Sequence, residues 1–259
     1  MTWGNWAHWG MLHNFMGYVN NTIDLIHGDA LALLPGLPSG AFAAVVTDPP
    51  YSSGGAFRSD RAAATTTKHV LTGSGRSKVY PDFAGDSRDP HSMLRWMTMW
   101  LADCLRVTEP GGALLMFCDW RQLPLFSDAI QCGGWVWRGV IPWDKTRGAR
   151  PQKGWFRAQC EYVLTASHGT MGLEQTRAGD CLDGFYTQNV LSHEKLHSAG
   201  KPLPLMEALL RVVRPGGRVL DPFAGSATTL LAAQRMGLSA LGFEREAEIV
   251  KIGRTRLGI

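Results

Sequence analysis

Short apolar runs alternate with longer amphipathic segments along most of this 259-residue chain. The runs GAFAAVV, ALLMFC and SALGFE lack polar alternation, as expected of strands that are buried on both faces. From Met93 to Leu105 apolar residues recur every three or four positions, which predicts an amphipathic helix. Strands that alternate with helices in this way predict an α/β fold, with a mostly parallel twisted sheet covered by helices on both faces.

The same patterns predict further elements. We expect strands at WVWRGVIPW, EYVLTAS and RVLD, and helices at 123–131, 202–213, 226–236 and 246–257. The segment EPGG, Glu109 to Gly112, is expected to end the first long helix. We predict one domain over 1–259, with a mobile loop at 52–85 and a basic loop at 144–157.

Composition excludes several classes of protein. Five cysteines stand far apart with no CxxC pair and no Cys/His cluster, which argues against a structural zinc site and a disulfide framework, and we expect no metal. Neither a signal peptide nor an apolar run long enough for a membrane span is present. We therefore expect a soluble cytoplasmic protein. Its formal charge of +4 only hints at an anionic partner such as nucleic acid.

Two motifs stand where predicted strands end. TDPPY follows AFAAVV, and DPFAGSATT follows RVL and opens a helix near Ser226. Gly225 permits a tight turn, and Glu244 closes the next strand 19 residues later. This is near the spacing at which an acid binds ribose hydroxyls in dinucleotide-type folds, so it indicates a nucleoside ligand. A structural turn and a solvated carboxylate remain the alternative, because the spacing alone is weak.

These residues resemble the DNA amino-methyltransferases that use S-adenosylmethionine. DPFAGSATT is similar to their cofactor motif DPFxGSGTT, DPPY to their catalytic motif, HSAGKP to their HPTQKP segment, and IHGDALALLP to their GD segment. The catalytic motif begins 173 residues before Asp221, which is the order of the beta group. The resemblance implies a Rossmann-like methyltransferase fold.

The resemblance also implies cofactor contacts. Phe223 borders the S-adenosylmethionine, Glu244 holds its ribose, Asp29 meets its adenine amino group, and Lys201 lies near its methionine carboxylate. The other motif positions assigned to the cofactor are Asp221, Gly225, Ser226 and Thr228. Ala227 replaces a family glycine, which is tolerable if that residue is already helical. An N-cap for Asp29 and a surface charge for Lys201 remain the alternatives.

DPPY suits the activation of an exocyclic amine, whose lone pair is delocalised into the base. Asp48 is expected to accept one N–H and the carbonyl of Pro49 the other, while Pro49 and Pro50 fix the backbone. Tyr51 is expected to stack on a base flipped out of the duplex. DPPY favours adenine N6 over cytosine N4 in the resembling family. Methylation at cytosine C5 is disfavoured because no Cys follows a Pro.

The basic loop carries cationic and aromatic side chains without an acid from Lys145 onward, as suits contacts to double-stranded DNA. The residues assigned to DNA binding are Lys145, Arg147, Arg150, Lys153, Trp155 and Arg157. The segment 167–192, with Tyr186, Gln188 and Asn189, occupies the place of a short target-recognition region. The alternatives left open are solvated basic loops, an RNA substrate and a DNA-binding module without catalysis. Homodimers are common in the resembling group.

Overall fold

The structure is a computed structural model, and it describes residues 22–51, 88–148, 153–171, 181–189 and 200–259. The predicted loop 52–85 and Arg150 lie outside the described residues. So do parts of the expected target-recognition segment and the first three residues of HSAGKP. Within the described ranges each of the five cysteines is a free thiol. The same ranges contain no helix long and apolar enough to cross a membrane, and no cluster of side chains placed to hold a metal ion.

Eight strands form one sheet with the order β1-β8-β7-β2-β3-β5-β4-β6. They are β1 (Ile23–His27), β2 (Phe42–Thr47), β3 (Thr108–Cys118), β4 (Val136–Asp144), β5 (Cys160–Ser167), β6 (Tyr186–Thr187), β7 (Arg218–Asp221) and β8 (Ser239–Glu244). Only β5 runs against its neighbours, and the other pairs are parallel. The predicted mostly parallel α/β sheet is therefore confirmed.

Six α-helices cover the sheet in the described ranges. They are α1 (Ala30–Leu33), α2 (Pro90–Val107), α3 (Leu123–Cys132), α4 (Leu203–Leu210), α5 (Thr228–Arg235) and α6 (Ala247–Leu257). Buried side chains of α4, α5 and α6 form one apolar cluster with the sheet, and those of α1, α2 and α3 form another. The sheet thus lies between two helical layers, which explains why all six residues of β2 are buried.

Helix α2 shows how local sequence sets an element's limits. Asp89 accepts hydrogen bonds from the amides of His91 and Ser92, and Pro90 occupies the first turn, where its missing N–H costs nothing. Helix α2 ends at Val107, two residues before EPGG, as the sequence predicts, but EPGG does not separate the helix from the next strand. Strand β3 already begins at Thr108, and EPGG forms an irregularity in its pairing with β2. A Cβ on Gly112 would lie 2.9 Å from the carbonyl oxygen of Ala43, so this close approach requires glycine.

The direction of the strands defines a functional edge of the sheet. Strands β2, β3, β4, β6, β7 and β8 all end at this edge, whereas the antiparallel β5 begins there. In open sheets of this kind, ligands bind outside the carboxyl ends of the strands. The residues that follow these strands are therefore the candidates for a site.

Candidate active site

Two neighbouring strands bring the DPPY and DPFAG segments together. β2 ends at Thr47 and pairs in parallel with β7, which ends at Asp221. The hydroxyl of Thr47 donates a hydrogen bond of 2.8 Å to Oδ1 of Asp221 across 174 positions of sequence. Asp48, the next residue, consequently lies beside the turn that follows β7.

Asp221 anchors this junction from within the protein. It is 2% exposed, and its Oδ1 also accepts a hydrogen bond of 3.1 Å from the amide of Phe223. Burial raises the pKa of Asp221 to about 6, although hydrogen bonds from Thr229 and Thr47 act in the opposite direction. The family resemblance assigns Asp221 to the cofactor, and the structure shows its carboxylate engaged by protein groups that hold the turn.

The carboxylate of Asp48 belongs to a compact polar cluster. The hydroxyl of Tyr51 donates a hydrogen bond to its Oδ1, and the ammonium of Lys201 lies 2.6 Å from its Oδ2. The same ammonium lies 3.1 Å from the hydroxyl of Tyr51 and 5.0 Å from the ring centroid of Phe117. The structure thus brings Lys201 to Asp48, and its expected position near the methionine carboxylate of the cofactor stays a prediction.

Glu161, which the sequence did not single out, completes the cluster. It is the second residue of β5, so it lies at the functional edge. Its Oε2 lies 3.3 Å from Nζ of Lys201, and its Oε1 lies 2.9 Å from Nζ of Lys145. We call Asp48, Lys201, Glu161 and Lys145 the charge quartet. An acid in the predicted buried strand EYVLTAS was the available signal, because an acidic side chain is rarely buried without a partner.

Burial and ion pairing oppose each other in the charge quartet. Burial raises the pKa of Asp48, and the Lys201 ammonium offsets only part of this effect. Burial by itself would lower the pKa of Lys201, but the carboxylates of Asp48 and Glu161 outweigh it, so the pKa is raised. Burial likewise acts to raise the pKa of Glu161, and Lys201 and Lys145 reverse this and lower it. Lys201 is therefore cationic. The pKa of Glu161 is shifted in favour of its ionised form, whereas the pKa of Asp48 is shifted in favour of its neutral form.

The backbone after β2 has little freedom. Pro49 is buried, and the rings of Pro49 and Pro50 each fix one backbone dihedral. The ring of Tyr51 meets the ring of Phe126 edge-on, with 6.1 Å between the centroids. The carboxylate of Asp48 and the peptide oxygen that follows it are consequently presented in a preset geometry.

A second group of residues surrounds the turn after β7. Gly225 has a φ of +52°, and a Cβ built there would meet no atom within 4 Å, so open space lies beside the turn. At the end of β8, Oε2 of Glu244 accepts a hydrogen bond of 3.0 Å from the amide of Gly225, and Oε1 accepts one of 2.7 Å from the amide of Glu246. Burial raises the pKa of Glu244. A carboxylate held by backbone donors beside open space fits a ligand with vicinal hydroxyl groups such as ribose.

Phe223 is held within an aromatic group at the same turn. Its ring centroid lies 5.4 Å from that of Trp96 and 5.1 Å from that of Trp100. Both partners belong to α2. The orientation of Phe223 is thus fixed before any ligand binds.

Comparison with known proteins identifies the family. Residues 42–255, well over half of the chain, match the DNA methylase family model N6_N4_Mtase. The chain belongs to this family. It is a DNA methyltransferase of the N6/N4 type, as its motifs predict. The type II methyltransferase M2.DpnII of Streptococcus pneumoniae is 25% identical over 266 residues, with 96% of this chain and 94% of the relative covered.

Solved structures confirm the expected Rossmann-like methyltransferase fold. The M1.HpyAVI–SAM complex matches with a TM-score of 0.64 and 22% identity, over 92% of this chain and 100% of that chain. The cytosine-N4-specific PvuII DNA methyltransferase matches with a TM-score of 0.65 and 16% identity, over 92% of this chain and 88% of that chain. At these identities the likeness concerns the fold.

The methylase departs from its family's cofactor motif at Ala227. The expectation that this position is helical is wrong, because Ala227 precedes α5 with φ +64° and ψ 36°, the left-handed conformation. A side chain there costs about 1 to 2 kcal/mol, which explains a glycine in the family motif. The neighbouring carbonyl of Ser226 and hydroxyl of Thr228 accept hydrogen bonds of 3.2 and 2.7 Å from Arg256. The hydroxyl of Thr228 is therefore engaged by α6.

Asp29 of the methylase caps α1. Its Oδ1 accepts a hydrogen bond of 2.9 Å from the amide of Leu31, and its Oδ2 lies 3.8 Å from the guanidinium of Arg245. The capping alternative raised from the sequence is therefore correct for one of its oxygens. Contact with an adenine amino group stays a prediction for Asp29.

Part of the methylase's basic loop faces inward. Lys145 pairs with Glu161, so its ammonium serves the charge quartet. Arg157 donates a hydrogen bond of 2.8 Å to the carbonyl of Arg147, which ties the two ends of the loop together. A DNA phosphate would therefore have to compete with Glu161 for the ammonium of Lys145, and the DNA contact stays a prediction.

The tip of the basic loop faces outward. Trp155 and Phe156 are 71% and 81% exposed, and their rings meet edge-on at 5.5 Å. Lys153 beside them is exposed as well. Because the loop follows β4, these side chains stand at the same edge of the sheet as Asp48. The described end of the expected target-recognition segment reaches this edge too, since the amide of Gln188 donates a 3.0 Å hydrogen bond to the carbonyl of Asp144.

Proposed function

We propose that this methylase transfers a methyl group from S-adenosylmethionine to the N6 amino group of an adenine flipped out of double-stranded DNA. The observation that carries the proposal is the hydrogen bond between Thr47 and Asp221, which joins the residue before Asp48 to the last residue of β7, where the DPFAG segment begins. Proximity and orientation alone can supply a large part of the rate of such a transfer.

Asp48 and Pro49 activate the amino group in this proposal. The exocyclic nitrogen is a poor nucleophile, because its lone pair is delocalised into the ring. Two acceptors that each take one N–H draw the nitrogen toward a tetrahedral shape and direct the lone pair away from the ring. The carboxylate of Asp48 and the carbonyl of Pro49 are adjacent in the chain and rigidly held, as this role requires.

The residues at the turn fit S-adenosylmethionine. When bound, the cofactor supplies an electrophilic methyl group. Glu244 would accept hydrogen bonds from the ribose hydroxyls. Phe223 would border the adenosine beside the open space at Gly225. Membership of the DNA methylase family and the fold likeness to the M1.HpyAVI–SAM complex support this assignment.

Adenine is favoured over cytosine by the motif. DPPY is the form that favours adenine in the resembling family, whereas SPPY is common among cytosine methyltransferases. The likeness to the cytosine-N4-specific PvuII enzyme is one of fold. Digestion of DNA from cells that express the protein, followed by mass spectrometry of the nucleosides, tests the choice. We expect N6-methyldeoxyadenosine, and N4-methyldeoxycytidine would assign the same chemistry to the other base.

A DNA-binding module without catalysis is the second candidate, and the left-handed conformation of Ala227 favours it. The cost of holding alanine in this conformation destabilises the cofactor turn, so a smaller fraction of molecules presents it in a form ready to bind S-adenosylmethionine. Titration calorimetry separates the two candidates. Heat of binding for the cofactor supports the enzyme, whereas DNA binding without any cofactor binding supports the module.

A further inference from the structure

The ammonium of Lys201 lies between two carboxylates but donates a hydrogen bond of regular geometry to only one of them. Its Nζ is 2.6 Å from Oδ2 of Asp48 and 3.3 Å from Oε2 of Glu161. The Oε2 atom is buried, and within the described part of the chain it accepts no hydrogen bond of regular geometry. The ion pair with Lys201 satisfies this oxygen only in part, so a closer and better aligned approach of the ammonium to Glu161 is favourable.

The proposed reaction needs the carboxylate that Lys201 occupies. Oδ1 of Asp48 accepts a hydrogen bond from the hydroxyl of Tyr51 and Oδ2 accepts one from Lys201, so an entering amino group competes with these donors for the remaining lone pairs. The ammonium also lies 5.3 Å from the ring centroid of Tyr51, where a flipped base is expected to stack. The ammonium of Lys201 therefore competes with the amino group for Oδ2 of Asp48.

We infer that Glu161 is a positioning residue that receives the ammonium of Lys201 when the target amino group binds Asp48, an inference that rests on the proposed function. The movement gives the buried Oε2 its missing hydrogen bond and frees Oδ2 of Asp48. No proton is transferred and no covalent bond is broken, since the hydrogen bond from Lys201 to Asp48 is exchanged for one to Glu161. The charge quartet keeps two ammonium groups and two carboxylates throughout.

The surroundings of Glu161 suit this role. Lys145 holds Oε1 at 2.9 Å, so the receiving carboxylate is fixed while Lys201 moves. The side chain of Lys201 is only 10% exposed, and a buried cation separated from its partner costs several kcal/mol. A second carboxylate within reach removes that penalty, because the cation exchanges one anion for another without entering water.

The test uses the whole 259-residue chain and unmethylated genomic DNA under single-turnover conditions. Glu161→Gln retains the shape and removes the charge that attracts Lys201, so we expect the methylation rate to fall roughly 10- to 100-fold. Lys201→Met removes the competing ammonium. In that background Glu161→Gln should cost little, measured at about pH 8.5 so that carboxylates are ionised. A purely structural role for Glu161 would lower the rate in both backgrounds.

Two further variants serve as controls. Glu161→Asp retains the carboxylate and should recover most of the rate. Glu109→Gln removes an acid whose carboxylate pairs with Arg214 at 2.8 Å near the start of β3, at the opposite edge of the sheet. It should methylate at the wild-type rate.

The outcomes separate this inference from the proposed function. If the wild-type protein yields no methylated nucleoside, the proposed function fails. If the wild type is active and Glu161→Gln is equally fast, or is slowed equally with and without Lys201, only the inference fails. Should Glu161→Gln not fold, a structure of the wild-type enzyme with DNA and a non-reactive cofactor analogue decides. Lys201 within hydrogen-bond distance of Glu161 and away from Asp48 supports the inference, and Lys201 still on Asp48 overturns it.

Discussion

The ammonium of Lys201 lies 2.6 Å from the carboxylate of Asp48, although 153 positions of sequence separate the two residues. Asp48 follows β2 and Lys201 precedes α4, so the contact joins the catalytic motif to the HSAGKP segment. A cation here offsets part of the cost of burying the Asp48 carboxylate. The geometry makes this lysine the counter-ion of Asp48, and the cofactor contact that the family resemblance implies stays a prediction.

Loss of that counter-ion should shift the pH dependence of catalysis. Burial already raises the pKa of Asp48, and Lys201→Met removes the group that opposes the rise. The carboxylate must be ionised to accept an N–H from the base, so the acidic limb of the rate profile should move to higher pH. On the acidic limb, each pH unit by which the limb is displaced lowers the rate about tenfold at a given pH. At alkaline pH the activity of the variant should recover toward the wild-type value. Rates from pH 5.5 to 9 check this, and superimposable profiles would contradict it.

Asp221 should make the protein less stable as the pH rises. Its pKa is raised from 3.8 to about 6 by burial, so the folded state holds its proton more tightly than the unfolded state does. That stabilisation is fully present below pH 3.8 and is lost as the pH rises through about 6. Asp221→Asn removes the dependence, so between pH 4 and 7.5 the variant should gain about 2 to 3 kcal/mol relative to the wild type. Urea unfolding at the two pH values measures it.

The exposed Asp128 provides the control for that experiment. Asp128→Asn should follow the wild-type dependence on pH. A constant difference in unfolding free energy between Asp221→Asn and the wild type would show that Asp221 titrates normally in the folded state.

Glu244 should control cofactor affinity. Glu244→Gln replaces one carboxylate oxygen with an amide NH₂ that faces a backbone N–H, so the side chain loses both its fixed position and an acceptor for ribose. We expect S-adenosylmethionine to bind at least about 10-fold more weakly by titration calorimetry. Glu248→Gln changes an exposed acid on the adjacent helix and should bind normally. Equal affinity for both variants would remove Glu244 from the cofactor site.

Trp155 and Phe156 should contribute to DNA binding. Aromatic side chains that stack on bases contribute about 1 to 3 kcal/mol each, so replacing both with Ala should weaken DNA binding at least about tenfold while cofactor binding stays unchanged. Trp137→Ala is a matched control, since Trp137 is 40% exposed near the start of β4, at the opposite edge of the sheet. Fluorescence anisotropy with labelled duplex DNA measures the affinities. If the double variant loses no more DNA affinity than Trp137→Ala does, the tip of the basic loop does not bind DNA as predicted.

Local pattern was sufficient for much of the sheet but not for all of it. β2 and β8 are read directly from continuous apolar runs, because burial on both faces removes polar alternation. β6 has only two residues and exists through its pairing with Trp143 and Asp144 on β4. No local pattern encodes such a strand. Ala227 illustrates a similar limit, since its left-handed conformation follows from the turn and not from alanine's own preference.

The candidate active site likewise contains residues that the sequence predicts and residues that only the fold brings together. Asp48 and Asp221 are predictable, because both follow apolar strands and parallel strands end at one edge. The partnership of Glu161 with Lys201 and Lys145 was not predictable, because it depends on the antiparallel direction of β5 and on side-chain geometry. Composition indicates that Lys145 is one of several loop cations, and only the fold distinguishes it from the exposed Lys153.

The central claim is that the Asp48 carboxylate activates an amino group beside the cofactor turn. The most direct measurement is transfer of a labelled methyl group from S-adenosylmethionine to DNA by Asp48→Ala, with the binding of both ligands measured on the same preparation. We predict that the variant binds DNA and cofactor normally and that transfer falls by at least about 100-fold. Transfer at the wild-type rate by a variant that lacks this carboxylate would contradict the claim.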